Sequence, residues 1–200
     1  MTGDRLGRRC AVGLGVLLAA LVATAPGRAY TLEGPRWGSL RVNFDYIIPG
    51  RSSIFSKALW QALVDWNQVS RFKFYGVAQS ANPCNSSAPN GAAFGASVCG
   101  QAFGSGVLAI TMYSYNGANR FTHAGTVFNS HVNFTVYSGP LKYNTTDFRR
   151  VAVHEMGHAL GLGHQNNANI PAIMYPYVGN IEKPQTDDIN GVRALYGSPG

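Results

Sequence analysis

Three of the chain's five histidines lie within one eleven-residue segment whose spacing suits metal binding. His154 and His158 are four positions apart, so on a helix of 3.6 residues per turn both imidazoles project from one face and can reach the same ion. Glu155 follows the first histidine directly, which keeps its carboxylate out of the coordination sphere but close to a water molecule beside the ion. We therefore predict a metal site with an adjacent acid–base residue.

Gly161 and His164 complete this constellation. Glycine readily adopts the left-handed conformation that ends a helix, so the chain can turn at Gly161 and bring His164 back as the third ligand. Three histidines leave one position of a tetrahedral zinc ion open for water, whereas structural zinc sites close all four with protein ligands. The spacing favours metal-assisted hydrolysis with Glu155 as the general base. Gly161 and His164 argue against the nearest alternative, a histidine pair with a distant glutamate ligand.

The elements that must position these residues follow from the apolar pattern. A second helix, capped by Thr145 or Thr146 and beginning at Asp147, would carry the histidines. A first helix would begin at Ser52 or Ser53 and end near residue 70, and a third would open at residues 186–188. Alternating or apolar runs predict strands at 41–47, 71–75, 107–115, 125–129 and 132–137. The glycine-rich segment 76–106 is expected to be irregular, and the order of elements predicts an α+β fold.

The first 29 residues have the features of an export signal. Three arginines precede an apolar run, residues 11–25, that is too short to span a bilayer. Cleavage could follow Ala25 or Ala29, and we favour Ala29, which leaves a single domain over residues 30–200. An uncleaved membrane anchor is the alternative. The prediction is therefore a secreted, extracellular protein with no stable membrane insertion after cleavage.

Charge gives little support to a nucleic-acid partner. The leader holds four of the 16 basic and one of the nine acidic residues, so its removal lowers the net charge from +7 to +4. The remaining basic residues are scattered, and the sequence contains no zinc finger, aromatic RNA-binding motif or basic helix. We expect a mildly cationic, solvated surface, no nucleic-acid binding, and a monomer.

Two cysteines remain in the predicted mature chain, since Cys10 lies in the leader. Cys84 and Cys99 lie within the glycine-rich segment, with 14 residues between them, and an exported protein would be expected to join them in a disulfide. Two free buried thiols are the alternative.

Three motifs resemble the metzincin metallopeptidases, and among them the matrixins, the clan of the matrix metalloproteinases. The run HEMGHALGLGH at 154–164 matches the zinc motif position for position. AIMYP at 172–176 resembles the Met-turn, which makes Met174 the methionine beneath the zinc ligands. TDDINGVRALYG at 186–197 is similar to the C-terminal helix. The resemblance runs from about residue 38 to residue 197.

The resemblance implies a metzincin-like α+β fold and an activity. The fold is a twisted mixed sheet of about five strands packed on two helices, with a small C-terminal subdomain that carries the Met-turn and a third helix. The activity is hydrolysis of peptide bonds in a protein or peptide substrate by one zinc ion, with substrate lying antiparallel to an edge strand. The candidate edge strand is residues 106–109, and the alternative interpretation is that these residues form an ordinary core strand. The substrate-binding residues assigned on this basis are Val107, Leu108, Ala109, Pro176 and Tyr177.

The resemblance also suggests roles for two acidic residues of the last helix. Asp187 would pair with a mature N-terminal amine and Asp188 would support the Met-turn, although both could equally be exposed helix caps.

Departures from the family pattern limit what can be transferred. Gln165 stands where matrixins usually carry serine, and the stretch from His164 to Met174 is longer than usual. Only His123 and His131 are available for a second, structural zinc, so we expect them to be polar residues rather than ligands. A secreted zinc-binding interaction module that has lost catalysis is the alternative function, and it would need a defective general base.

Overall fold

A computed structural model describes residues 29–200 of the chain. The predicted export signal lies outside the described residues, apart from Ala29, and its cleavage stays a prediction. Within the described residues, no helix combines the length and the apolar character that a membrane span requires.

One layer of the molecule is a six-stranded mixed sheet. Its strands are β1 (Arg36–Trp37), β2 (Arg41–Asp45), β3 (Lys73–Val77), β4 (Gly91–Gly95), β7 (Ala109–Tyr115) and β8 (Arg120–Asn129). The order is β1-β8-β4-β2-β3, all parallel, and β7 adds antiparallel to the other edge of β8. Because β7 has a single sheet neighbour among the described strands, it forms an edge of the sheet.

Helices form the other layer and the C-terminal part. They are α1 (Ser53–Asn67), α2 (Phe148–Leu160) and α3 (Thr186–Tyr196). Helix α1 packs on α2 and β3, while α2 contacts β7 and β8. The core lies between the layers and is rich in aromatic rings, among them Phe44, Trp66, Phe74, Phe128 and Phe148. The fold is therefore the expected α+β arrangement, with α3 in a C-terminal segment that follows the histidines.

The prediction that residues 76–106 are irregular is wrong. This segment contains β4, which lies between β2 and β8 inside the sheet, and a small hairpin of β5 (Ser97–Val98) and β6 (Gln101–Ala102). The sequence GAAFG shows no alternation because close packing demands small residues there. A Cβ built on Gly91 would lie 2.8 Å from the Cβ of Ala81.

The start of α2 also differs from the prediction. Asp147 itself is the N-cap, and its carboxylate accepts hydrogen bonds from the backbone of Arg149 and Arg150. Thr146 is not the cap; it pairs with Phe134 in a short parallel ladder between β9 (Phe134–Thr135) and β10 (Thr146–Asp147), to which Asp147 also belongs. This ladder is all that remains of the strand predicted at 132–137.

Helix α3 begins at Thr186, as predicted, and is preceded by a reciprocal cap. The Gln185 side chain accepts a hydrogen bond from the backbone of Asp188, and the Asp188 carboxylate accepts one from the Gln185 N–H at 2.7 Å. Each side chain thus satisfies a backbone donor that the first turn leaves free.

The expected disulfide joins Cys84 to Cys99. It closes the segment that carries β4, so the glycine-rich chain is held at both ends of the strand. The backbone before Cys84 packs on the sheet, where a Cβ built on Gly125 would lie 2.2 Å from the Pro83 carbonyl oxygen.

Candidate metal and catalytic site

Helix α2 and the turn that ends it bring the three predicted histidine ligands together. His154 and His158 lie on one face of the helix, which stops at Gly161 in the left-handed conformation with φ of 98°. The N–H groups of Gly161 and Leu162 then return to carbonyl groups of the last turn. This reversal directs His164 toward the other two rings, as the sequence predicts.

The three imidazoles converge through their Nε2 atoms. The distance is 3.1 Å from His154 to His158, and 3.2 Å from His164 to each of the others. A tetrahedral zinc ion with Zn–N bonds of about 2.0–2.1 Å separates its ligand nitrogens by about 3.3 Å, close to these values. Within residues 29–200, this trio is the only group of three or more metal-binding side chains that could share an ion.

The opposite ring nitrogens of two histidines are held by backbone carbonyl groups. His154 Nδ1 donates to the Ile173 carbonyl and His158 Nδ1 donates to the Leu162 carbonyl, each at 2.8 Å. A proton on Nδ1 leaves the lone pair of Nε2 available, which is the form that binds metal. The donor set therefore fits a zinc ion.

The protonation of the histidines follows their surroundings. Burial lowers the pKa of His154 to about 3 and also lowers the pKa of His164. Burial acts in the same direction on His158, but its hydrogen bond to Glu33 and the nearby charge of Glu155 outweigh it and raise the pKa. His158 must give up this proton when it binds a metal, because only the neutral ring is a ligand.

Glu155 is a buried carboxylate beside the histidines, with 5% of its surface exposed. Burial raises its pKa, and hydrogen bonds from Thr111 act against that rise. Thr111 lies on the edge strand β7, and its hydroxyl donates to Glu155 Oε2 at a distance of 2.7 Å. Thr111 is not among the residues that the sequence motifs single out, although strand alternation places it on the same face as Ala109 of the predicted rim.

Met174 packs directly against the histidine helix, where the Met-turn motif predicts it. It is buried, and a Cβ built on Gly157 would lie 2.3 Å from its sulfur. The Asp188 carboxylate accepts hydrogen bonds from the N–H groups of Ile173 and Met174, at 2.8 and 3.1 Å. Asp188 therefore ties α3 to this turn instead of being an exposed cap.

Asp187 and Gln165 form a second tie around the same turn. Gln165 Nε2 donates to Asp187 Oδ2 at 2.8 Å and to the Ala29 carbonyl at 2.7 Å. The backbone N–H of Gln165 donates to the Met174 carbonyl. The glutamine that departs from the matrixin pattern thus links α3, the Met-turn and the start of the described chain.

A cavity of about 440 Å³ opens beside the histidines. It brings together His154, Glu155 and His164 with all five predicted substrate-binding residues, Val107, Leu108, Ala109, Pro176 and Tyr177. It also contains Arg150, which the sequence did not single out. This residue is 2% exposed, and its Nη2 is paired with Glu182 Oε1 at 2.7 Å.

The two remaining histidines lie apart from the trio. His123 is buried in β8, and burial lowers its pKa, whereas His131 is exposed after the end of that strand. Neither belongs to a group of three metal-binding side chains in the described part of the chain.

Comparison with known proteins gives a family match and several partial relatives. A family model for matrixin matches residues 50–197. Macrophage metalloelastase of Oryctolagus cuniculus is 48% identical over 61 residues, which cover 28% of this chain and 13% of that protein. Human matrilysin is 46% identical over 55 residues, 26% of this chain and 20% of that protein. Metalloendoproteinase 1 of Glycine max is 48% identical over 58 residues, which cover 26% of this chain and 17% of that protein. The chain thus matches no more than a fifth of the length of these relatives.

Proposed function

Because the chain belongs to the matrixin family, we propose that it is a secreted zinc-dependent endopeptidase with Glu155 as the general base. One observation carries the proposal: three imidazole Nε2 atoms lie 3.1–3.2 Å from one another beside a buried carboxylate. An open three-nitrogen site next to an acid–base group is the arrangement that hydrolytic zinc enzymes use.

His154, His158 and His164 would hold the zinc ion. When bound, zinc supplies Lewis acidity, which polarises a carbonyl group and makes a water molecule acidic near neutral pH. Around it, the carbonyl groups of Ile173 and Leu162 keep the first two rings in the tautomer that offers Nε2. Met174 packs under the helix that carries them.

Glu155 would move the proton. Its carboxylate takes a proton from the attacking water and returns it to the nitrogen of the leaving amine. Burial supports this role, because it raises the pKa of Glu155 above its ordinary value and so makes the carboxylate a stronger base.

Substrate would lie along β7, which has an open edge in the described sheet. An extended peptide can add there as an antiparallel strand through backbone hydrogen bonds. Val107, Leu108 and Ala109 would form one wall of the cleft, and Pro176 and Tyr177 the opposite wall. The cavity next to the histidines would receive one side chain of the substrate.

Secretion and a monomeric state are part of the same proposal. The apolar leader supports export, and the Cys84–Cys99 disulfide suits an oxidising compartment.

The test is cleavage of an unfolded protein such as casein by the purified chain. We expect zinc-loaded protein to cleave it, a chelator to abolish cleavage, and added zinc to restore it. Elemental analysis should find one zinc ion per chain. Absence of cleavage by protein that holds its zinc would overturn the proposal and favour a zinc-binding interaction module.

Three variants assign the roles. Glu155→Ala should keep its zinc and lose activity by several orders of magnitude, because it removes the base without touching a ligand. His158→Ala should lose both. His131→Ala is the matched control, since it removes an exposed histidine outside the site and should change neither. An active Glu155→Ala variant would show that the carboxylate is not the base.

A further inference from the structure

Two threonine hydroxyl groups form a chain that ends on Glu155. Thr126 Oγ1 lies 2.8 Å from Thr111 Oγ1, and Thr111 Oγ1 lies 2.7 Å from Glu155 Oε2. Thr111 and Thr126 are directly opposite each other in the β7–β8 ladder. The sheet register therefore places both hydroxyl groups behind the carboxylate.

The direction of the two hydrogen bonds follows from the number of protons. An ionised carboxylate can only accept, so Thr111 must use its single hydroxyl proton to donate to Oε2. Thr111 Oγ1 then has only lone pairs to offer Thr126, and Thr126 must donate to it. The alternative acceptor for Thr111, the Glu155 carbonyl oxygen, is farther away at 3.2 Å. Thr126 thus donates to Thr111, and Thr111 donates to the Glu155 carboxylate.

Packing alone does not call for hydroxyl groups at these positions. Thr126 has no exposed surface, and burying a hydroxyl group is favourable only when it finds a hydrogen-bond partner. Valine has nearly the same shape and would fill the same space in the ladder without that cost. We therefore attribute the two hydroxyl groups to their hydrogen bond with the Glu155 carboxylate.

We propose that Thr111 is a positioning residue for Glu155. Its hydroxyl, oriented by Thr126, holds Oε2 and limits rotation of the carboxylate, so that Oε1 faces the attacking water. The inference rests on the proposed function, in which Glu155 is the general base. It adds a requirement that the zinc motif does not contain, namely a hydroxyl group supplied by the edge strand that also borders the substrate cleft.

The test compares Thr111→Val with Thr111→Ser in the purified full chain. Valine keeps the branched shape and removes the hydroxyl, whereas serine keeps the hydroxyl. Thr122→Val is the matched control, because Thr122 is an exposed threonine of the neighbouring strand β8. For each protein we would measure kcat and KM on a fluorogenic peptide selected from a cleavage library, together with zinc content and melting temperature.

The expected result is a split between kcat and KM. Thr111→Val should lower kcat by about tenfold to a hundredfold, the usual effect of removing a group that orients a residue at a metal site, and leave KM and zinc content nearly unchanged. Thr111→Ser should retain most of the activity, and Thr122→Val should equal the parent protein. Thr126→Val should fall between Thr111→Val and the parent protein.

Two results would overturn the proposal. One is a Thr111→Val variant whose kcat stays within twofold of the parent protein. The other is a Thr111→Ser variant as impaired as Thr111→Val while zinc and folding are intact, because the hydroxyl would then be irrelevant.

Crystal structures separate this inference from the proposed function. If the parent protein cleaves nothing, the Glu155 carboxylate should still be rotated or disordered in Thr111→Val and ordered in Thr111→Ser. An identical Glu155 conformation in both variants would reject the positioning role whatever the activity.

Discussion

At the level of single residues, His154, His158 and Glu155 each form a hydrogen bond that orients the side chain. His154 and His158 donate to carbonyl groups, and Glu155 accepts from Thr111. Glu33 is a further member of this surrounding shell. Its Oε1 lies 3.4 Å from His158 Nδ1, and its Oε2 accepts a hydrogen bond from the Tyr113 hydroxyl at 3.1 Å.

Replacing Glu33 by glutamine should weaken zinc binding. The hydrogen bond from His158 lowers the pKa of Glu33, so the Glu33 carboxylate is negatively charged. This charge makes the His158 ring a better electron donor to the metal. Loss of that charge should raise the zinc dissociation constant about tenfold to a hundredfold. Competition with a chromogenic chelator measures it.

Tyr113→Phe, which removes only the contact to Glu33, should have a smaller effect on zinc affinity, and the exposed Tyr115→Phe should have none. A dissociation constant for Glu33→Gln within twofold of the parent value would show that Glu33 has no influence on the metal.

At the level of elements, the sheet depends on small residues where two segments come very close. Strand β4 consists largely of glycine and alanine and lies between β2 and β8. In β8, Gly125 packs against the backbone of the segment that leads into β4. Backbone cannot move aside as a flexible side chain can, so this contact specifies how the disulfide loop sits on the sheet.

Gly125→Ala should therefore destabilise the protein. The new methyl group would lie 2.2 Å from the Pro83 carbonyl oxygen, and the backbone would have to shift. Overpacking of this kind costs about 1–3 kcal/mol, which urea unfolding can measure. Gly117→Ala is the matched control, since a Cβ there meets nothing within 4 Å. Equal stability of the two variants would contradict the close packing described here.

At the level of the whole molecule, stability depends on covalent closure as well as on the core. The disulfide links residues 15 positions apart, and between them lies a strand from the middle of the sheet. A cross-link of this length limits the unfolded chain, and the entropic model assigns it about 3 kcal/mol.

Reduction of the disulfide should lower the free energy of unfolding by about that amount, 3 kcal/mol, in urea titrations with and without a reductant. The double variant Cys84→Ser/Cys99→Ser should be equally destabilised and should not respond to the reductant. Mass spectrometry of the non-reduced protein should find the two cysteines linked. Two alkylatable thiols in the native protein would contradict the disulfide.

Much of the candidate site could be predicted because its signal is local. His154, Glu155 and His158 share one helix, and Gly161 needs only its own left-handed conformation to return His164. Periodicity also identified α1, and capping residues identified the starts of α2 and α3, to within a few residues. The errors fell where local patterns are weak: β4 lacks alternation, and the N-cap of α2 is Asp147, which follows two threonines that could also cap a helix.

What the sequence by itself determined is the metal-binding constellation, the helices that carry it and the α+β class, since each depends on the chemistry of residues close together in the chain. Only the tertiary structure decided which groups from distant parts of the chain contact and orient these metal-site residues. Thr111 reaches Glu155 across 44 positions, Glu33 comes from the start of the described chain, and Asp188 returns from α3 to the Met-turn. Such contacts depend on sheet register and on the packing of whole elements, and neither is encoded in any short segment.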